Sequence, residues 1–83
     1  MEKKQITMKN EIENLKGNYK FKSPYHKGNK MLPFNVLGQS YNDEYPVSVY
    51  TVEYRGYTKK DHYGNYKIEV IKDFIKSGFL IEA

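Results

Sequence analysis

The residues best equipped for acid–base chemistry are the two histidines, His26 and His62. Two histidines that lie close together can cleave RNA as general acid and general base, with a lysine or tyrosine to hold the phosphate. Each of these histidines stands in a polar stretch, where a solvated surface histidine is the usual case. We therefore predict that the protein is not an enzyme.

Metal and cofactor sites are equally unsupported by the sequence. The pair Asp61-His62 has no second ligand pair at a known metal spacing, and the chain has no cysteine. The sequence contains no Gly-x-Ser-x-Gly elbow, phosphate-binding loop or Rossmann glycine pattern. We expect neither a metal nor a cofactor.

A basic, aromatic stretch covers residues 19–30. Tyr19 and Phe21 alternate with lysines, which is typical of a strand with an apolar and a basic face. Lysines that contact phosphates and rings that stack on bases are the groups that bind single-stranded nucleic acid. The candidate residues for such a site are Lys20, Lys22, Tyr25, His26, Lys27 and Lys30. The alternative interpretation is a core-facing strand with solvated lysines.

The net charge of +4 is concentrated in the first half of the chain. Residues 1–40 carry eight lysines and three acidic residues, whereas residues 41–83 carry six basic and seven acidic residues. Such a field assists encounter with an anionic partner. Arginine, which makes bidentate contacts to phosphates and bases, occurs once, at position 55.

Tyrosine is present in excess, with nine residues in a chain of 83. A core of this size cannot bury nine phenols and satisfy every hydroxyl, so several must be exposed. Tyrosine and arginine are enriched at protein-interface hot spots. The candidate protein-binding residues are Tyr54, Arg55, Tyr57 and Tyr63. Abundant Lys, Asn, Tyr and Ile also indicate an AT-rich genome, which raises the tyrosine count without any function.

The length indicates one domain, with a disordered leader at residues 1–6 and the domain at 7–83. Either Met1 or Met8 could start translation.

No apolar run of membrane-spanning length and no signal-peptide core occurs, so we expect a cytoplasmic protein with no membrane partner. Residues 7–17 predict a short helix, with Thr7 as N-cap and Gly17 at its end.

The strands are predicted from alternation and from turn residues. A first strand covers residues 18–22, a second follows Pro33 over residues 34–38, and the strongest covers residues 47–54. A polar connection at 57–64 leads to a fourth strand at 65–71, and a helical turn at 74–77 precedes a short final strand at 79–81.

This order predicts a mainly β fold with four or five strands and a short N-terminal helix. In element order alone it resembles an SH3-like barrel, which implies a strongly bent antiparallel sheet or a partly open barrel. The alternative is an α+β layer, with the helix packed on an antiparallel sheet.

We predict a non-catalytic binding module. In general character the chain resembles the small accessory proteins of bacteriophages and mobile elements, which implies a regulator or inhibitor that occupies the surface of a host protein. The expected partner is a host or phage protein, including one that handles nucleic acid. The alternative functions are direct single-stranded nucleic-acid binding, and capture of an anionic small molecule in a homodimer. The sequence leaves the oligomeric state open.

Overall fold

The computed structural model describes the backbone of residues 2–23 and 30–83, and the side chains of residues 9–23, 30–54 and 56–83. The described residues form two helices and five strands. In order they are α1 (Glu2–Leu15), β1 (Gly17–Phe21), β2 (Leu32–Gln39), β3 (Val47–Arg55), β4 (Thr58–Tyr66), α2 (Ile68–Lys76) and β5 (Ile81–Glu82).

The five strands form a single antiparallel sheet in the order β4-β3-β2-β1-β5. Strands β4 and β5 occupy opposite edges, so the sheet is neither closed nor strongly curled. The SH3-like, strongly bent or partly open barrel predicted from the sequence is therefore wrong. The alternative prediction, a helix-on-sheet α+β layer, is confirmed, with a second helix near the C-terminus.

The second helix explains the error. Residues 65–71 were predicted as a strand because Tyr66, Ile68 and Val70 alternate, but β4 ends at Tyr66 and α2 begins at Ile68. Ile68, Ile71 and Ile75 are spaced for one helical face, and Ile68 and Ile71 are buried. Gly78, with φ of 84°, follows the helix in the left-handed conformation that glycine adopts easily.

The predicted polar connection at 57–64 is instead most of β4. Its residues are polar because β4 faces water and, within the described residues, pairs with no strand besides β3, so no apolar alternation marks it. Other boundaries also differ from the sequence prediction. Helix α1 begins at Glu2 rather than at Thr7, β2 includes Pro33, and the final strand covers Ile81–Glu82 rather than residues 79–81.

Both helices pack on the same face of the sheet around one apolar core. Ile12 of α1 and Ile71 of α2 are fully buried, as are Val47 and Val49 of β3. Lys72 and Glu11 form an ion pair of 3.1 Å between the helices, but both side chains are exposed, so its contribution to stability is small. Burial of the apolar groups on this face is the main stabilising term of the fold.

Candidate functional site

The β3–β4 hairpin turns on Gly56 and Tyr57, between the paired residues Arg55 and Thr58. Gly56 has φ of 63°, and Tyr57 does not have positive φ. A two-residue turn with glycine in this conformation at its first central position is a type II′ turn, whose twist matches that of the flanking strands. The register continues without interruption from Arg55–Thr58 to Val47–Tyr66.

The turn also decides which backbone groups of β4 face outward. The residues that close a two-residue hairpin form a hydrogen-bonded pair, and such pairs then alternate along the ladder. Thr58, Lys60, His62, Gly64 and Tyr66 therefore direct their amide and carbonyl groups toward β3. The outward-facing backbone groups belong to Lys59, Asp61, Tyr63 and Asn65.

Strand β4 forms the edge of the sheet and is exposed along most of its length. Residues 58–63 are all exposed, and within the described residues β4 has no strand partner besides β3. An edge with free amide and carbonyl groups is a template on which a further strand can pair.

An aromatic pair lies on the face of the hairpin away from the helices. The rings of Tyr50 and Tyr63 are paired across the strands, with centroids 5.2 Å apart. The Tyr50 hydroxyl donates a hydrogen bond of 2.8 Å to Asp61 Oδ1. This bond is the main reason that the pKa of Tyr50 is raised above 10.0, with smaller contributions from desolvation and from the charges nearby. The contacts hold Tyr63 and Asp61 in fixed positions on the edge strand.

A cleft lies on the opposite face, between the hairpin and α2. Its volume is about 500 Å³, within the range of small-ligand and side-chain pockets. Aromatic rings from three strands, α2 and the segment after α2 line it: Phe21, Phe34, Tyr66, Phe74 and Phe79. Phe34 is central, with ring centroids at 5.8 Å from Phe21, 5.6 Å from Tyr66 and 6.2 Å from Phe74.

The hairpin adds a few polar groups to the lining of the cleft. Thr51 and Glu53 of β3 and His62 of β4 contribute, and the cleft also contacts Tyr54. The pKa of Tyr66 is raised above 10.0, first by burial of its hydroxyl and second by the negative charge of Glu53. An apolar cleft with a few polar groups at its margin is the usual form of a site that takes up a ligand or a side chain.

Gly64 lies between the rings of His62 and Tyr66, which both line the cleft. A Cβ atom at position 64 would lie 3.5 Å from Cε1 of His62 and 3.6 Å from Cε1 of Tyr66. Gly64 pairs regularly with Val49, and its φ is not positive, so the backbone conformation itself does not require glycine. The absent side chain leaves a gap between His62 and Tyr66 that is about one methyl group wide.

The predicted protein-binding residues all lie on the hairpin, but they do not form one cluster. Tyr57 is fully exposed at the turn, Tyr63 is 68% exposed, and Tyr54 is half-buried beside Lys59. Tyr63 pairs with Tyr50, four residues along β3 from Tyr54. The side chain of Arg55 lies outside the described residues. The predicted role of these four residues in protein binding stays a prediction.

The predicted nucleic-acid-binding residues are only partly described. Lys20, Lys22 and Lys30 are exposed, and Lys20 lies on the face of the sheet that carries Tyr63. Tyr25, His26 and Lys27 lie outside the described residues. His26 is one of the two histidines considered for RNA cleavage.

Sequence reasoning missed three features of this site: the edge strand, the Tyr50–Asp61 bond and the cleft. The dipeptide Gly56-Tyr57 between β-favouring segments was the available signal for the hairpin. The cleft has no signal in the sequence, because its rings come from segments far apart in the chain.

The raised pKa of Tyr66 makes the stability of the fold depend on pH. A group whose folded-state pKa is raised contributes stability that is fully present below its unfolded pKa and is lost as pH rises through the folded value. We therefore expect the free energy of unfolding of the wild type to fall above about pH 10, and less steeply in Tyr66→Phe. Urea unfolding at several pH values measures both slopes, and equal slopes would contradict the assignment.

Comparison with known proteins gives no match: no family model matches the chain, and neither a curated protein nor a solved structure is significantly similar. Neither described helix is long and apolar enough to cross a membrane. In the part of the chain that the structure describes, no three histidine or acidic side chains lie close enough together to hold a metal ion.

Proposed function

We propose that this protein is a non-catalytic protein-binding module whose binding element is the β3–β4 hairpin. The observation that supports the proposal is the exposure of β4 along residues 58–63, on the edge of the sheet and beside an aromatic cleft. Exposed tyrosines, free backbone groups and an apolar cleft are the components of a recognition surface. A small protein of this kind can regulate or inhibit a host or phage protein by occupying its surface, in the cytoplasm.

The surface is also well prepared for binding. Tyrosine gives a large contact area at low conformational cost. The Tyr63 ring packs against the Tyr50 ring, and the Tyr50 hydroxyl donates a hydrogen bond to Asp61. Less side-chain ordering is therefore needed on this surface when a partner binds.

Substitution of the exposed tyrosines tests the proposal. In affinity capture from cells of the native host, Tyr57→Ala combined with Tyr63→Ala should weaken partner binding by at least about tenfold, because exposed tyrosines of this kind act as hot spots. Tyr41→Ala is the matched control: Tyr41 is 106% exposed and Tyr57 104%, but Tyr41 lies between β2 and β3. Equal retention of the partner by the double variant and the wild type would exclude the hairpin as the binding surface.

Single-stranded nucleic acid is the second candidate partner. It is favoured by the position of exposed Lys20 on the same face of the sheet as exposed Tyr63. Capture at two salt concentrations separates the candidates, because phosphate contacts weaken steeply with salt. A captured nucleic acid that is lost at the higher salt would favour this second function.

A further inference from the structure

We propose that the aromatic cleft between the β3–β4 hairpin and α2 binds a small organic cation, a molecule with an ammonium or guanidinium group on an apolar body. The apolar body would lie against the aromatic rings, and the cationic group would lie beside Glu53 at the margin of the cleft. This inference goes beyond the proposed protein-binding function, because it assigns a ligand to the face of the sheet opposite Tyr63.

The rings define the apolar part of the ligand. The volume of about 500 Å³ lies within the range of sites that take up small molecules. The Phe79 ring lies against the rings of Phe21 and Phe74, with centroids 5.6 Å and 4.8 Å apart, so the three rings form one apolar wall. Phe79 is 40% exposed, and a ligand on this wall would remove its apolar surface from water. The ligand therefore needs an apolar body.

The charge of the cleft defines the other part of the ligand. Among the described residues that line it, Glu53 carries the only charge at pH 7, with histidine counted as neutral. Glu53 and Thr51 are two residues apart on β3, so their side chains lie on the same face of the strand. The pKa of Tyr66 is raised first by burial and second by the charge of Glu53, so this carboxylate acts on the interior of the cleft.

The neighbouring lysine does not take up this charge. Lys60 pairs with Glu53 across the hairpin, but it does not line the cleft. Within the side chains that the structure describes, Glu53 forms no ion pair. A cation in the cleft would therefore gain the attraction of the carboxylate, whereas an anion would be repelled by it.

The aromatic rings favour the same sign of charge. The face of an aromatic ring is negative, and a cation within about 6 Å of its centroid is attracted to it. Carboxylate and rings together select a cation over a neutral molecule of the same shape, and over an anion by a larger factor. Because Glu53 is exposed, its part of this selectivity is modest.

Titration of the intact protein with three ligands of similar shape tests the proposal. Phenethylammonium, phenethyl alcohol and phenylacetate share a phenyl group and end in a positive, a neutral and a negative group. We expect the ammonium to bind about tenfold more tightly than the alcohol, and phenylacetate to bind most weakly. Amide chemical shifts in NMR spectra measure each affinity, and the shifts should be largest at Thr51, His62 and Phe79, which line the cleft.

Two variants separate the charge from the rings. Glu53→Gln should weaken binding of the ammonium by about fivefold and leave binding of the alcohol unchanged. Phe79→Ala should weaken both ligands alike, because it removes part of the apolar wall. Glu44→Gln is the matched control for the charge and should bind as the wild type does, since Glu44 is also exposed but lies between β2 and β3.

Three results would each overturn the proposal. They are the absence of shifts at the cleft amides with all three ligands, binding of the alcohol or phenylacetate as tightly as the ammonium, and equal ammonium affinity of Glu53→Gln and Glu44→Gln. The protein-binding proposal would stand in each case, because its test residues, Tyr57 and Tyr63, do not line the cleft.

Discussion

Replacing Phe34 by alanine is expected to lower the free energy of unfolding by about 4 kcal/mol, because it empties the centre of the aromatic cluster. Phe34 is 3% exposed and its ring contacts those of Phe21, Tyr66 and Phe74. The total stability of a domain of this size is about 4–12 kcal/mol, so the loss is a large part of it. Urea unfolding followed by far-UV circular dichroism measures the effect.

Phe79→Ala is the matched control for this change. The Phe79 ring packs on Phe21 and Phe74 in the same cluster, but it is 40% exposed. Its loss should cost about 1 kcal/mol, since much of its apolar surface is already in water. Phe34→Leu provides a milder variant if Phe34→Ala does not fold. Equal effects of Phe34→Ala and Phe79→Ala would contradict the central position of Phe34.

The second large effect is expected at Ile71, in the part of α2 that the sequence analysis predicted as a strand. Ile71 is fully buried in the core together with Ile12 and Val49. Ile71→Ala should lower the free energy of unfolding by about 3 kcal/mol through lost burial and the cavity left behind. The same urea titration measures it.

Ile81→Ala is the matched control for Ile71→Ala. It lies in β5 and is 48% exposed, so Ile81→Ala should cost less than about 1 kcal/mol. The comparison also tests α2 itself: if residues 68–71 formed a strand, Ile71 and Ile68 would lie on opposite faces of the sheet. An unfolding free energy unaffected by Ile71→Ala would therefore contradict the helix as well as the core.

The sequence predicts the parts of the fold in which the local pattern and the tertiary environment agree. Val47–Arg55 is a strand, as its β-branched and aromatic residues indicate, because it lies inside the sheet with a buried face. The N-terminal helix and the turn at Gly78 were also predicted from local signals. In each case the residues carry their own structural preference.

The errors in the predicted secondary structure come from two kinds of segment. In one, the apolar residues fit both a strand and a helix period; in the other, they follow no period. Residues 65–71 satisfy a strand period through Tyr66, Ile68 and Val70, but the isoleucines at 68, 71 and 75 also satisfy a helical one, and packing on the core decides between them. β4 has no apolar pattern at all, because an edge strand facing water does not need one. The candidate site was therefore predicted only through its tyrosines, while its edge and cleft depend on the tertiary fold.

The pairing of β5 with β1 has a practical consequence for handling this protein. Ala83 N–H donates a hydrogen bond of 3.0 Å to the carbonyl of Asn18, which fixes the last described residue at the β1 side of the sheet. Strands β1, β2 and β3 separate this position from β4, a distance of roughly 19 Å at the usual strand spacing. A fluorophore or a tether for surface immobilisation attached after Ala83 would therefore leave the outer edge of β4 unobstructed.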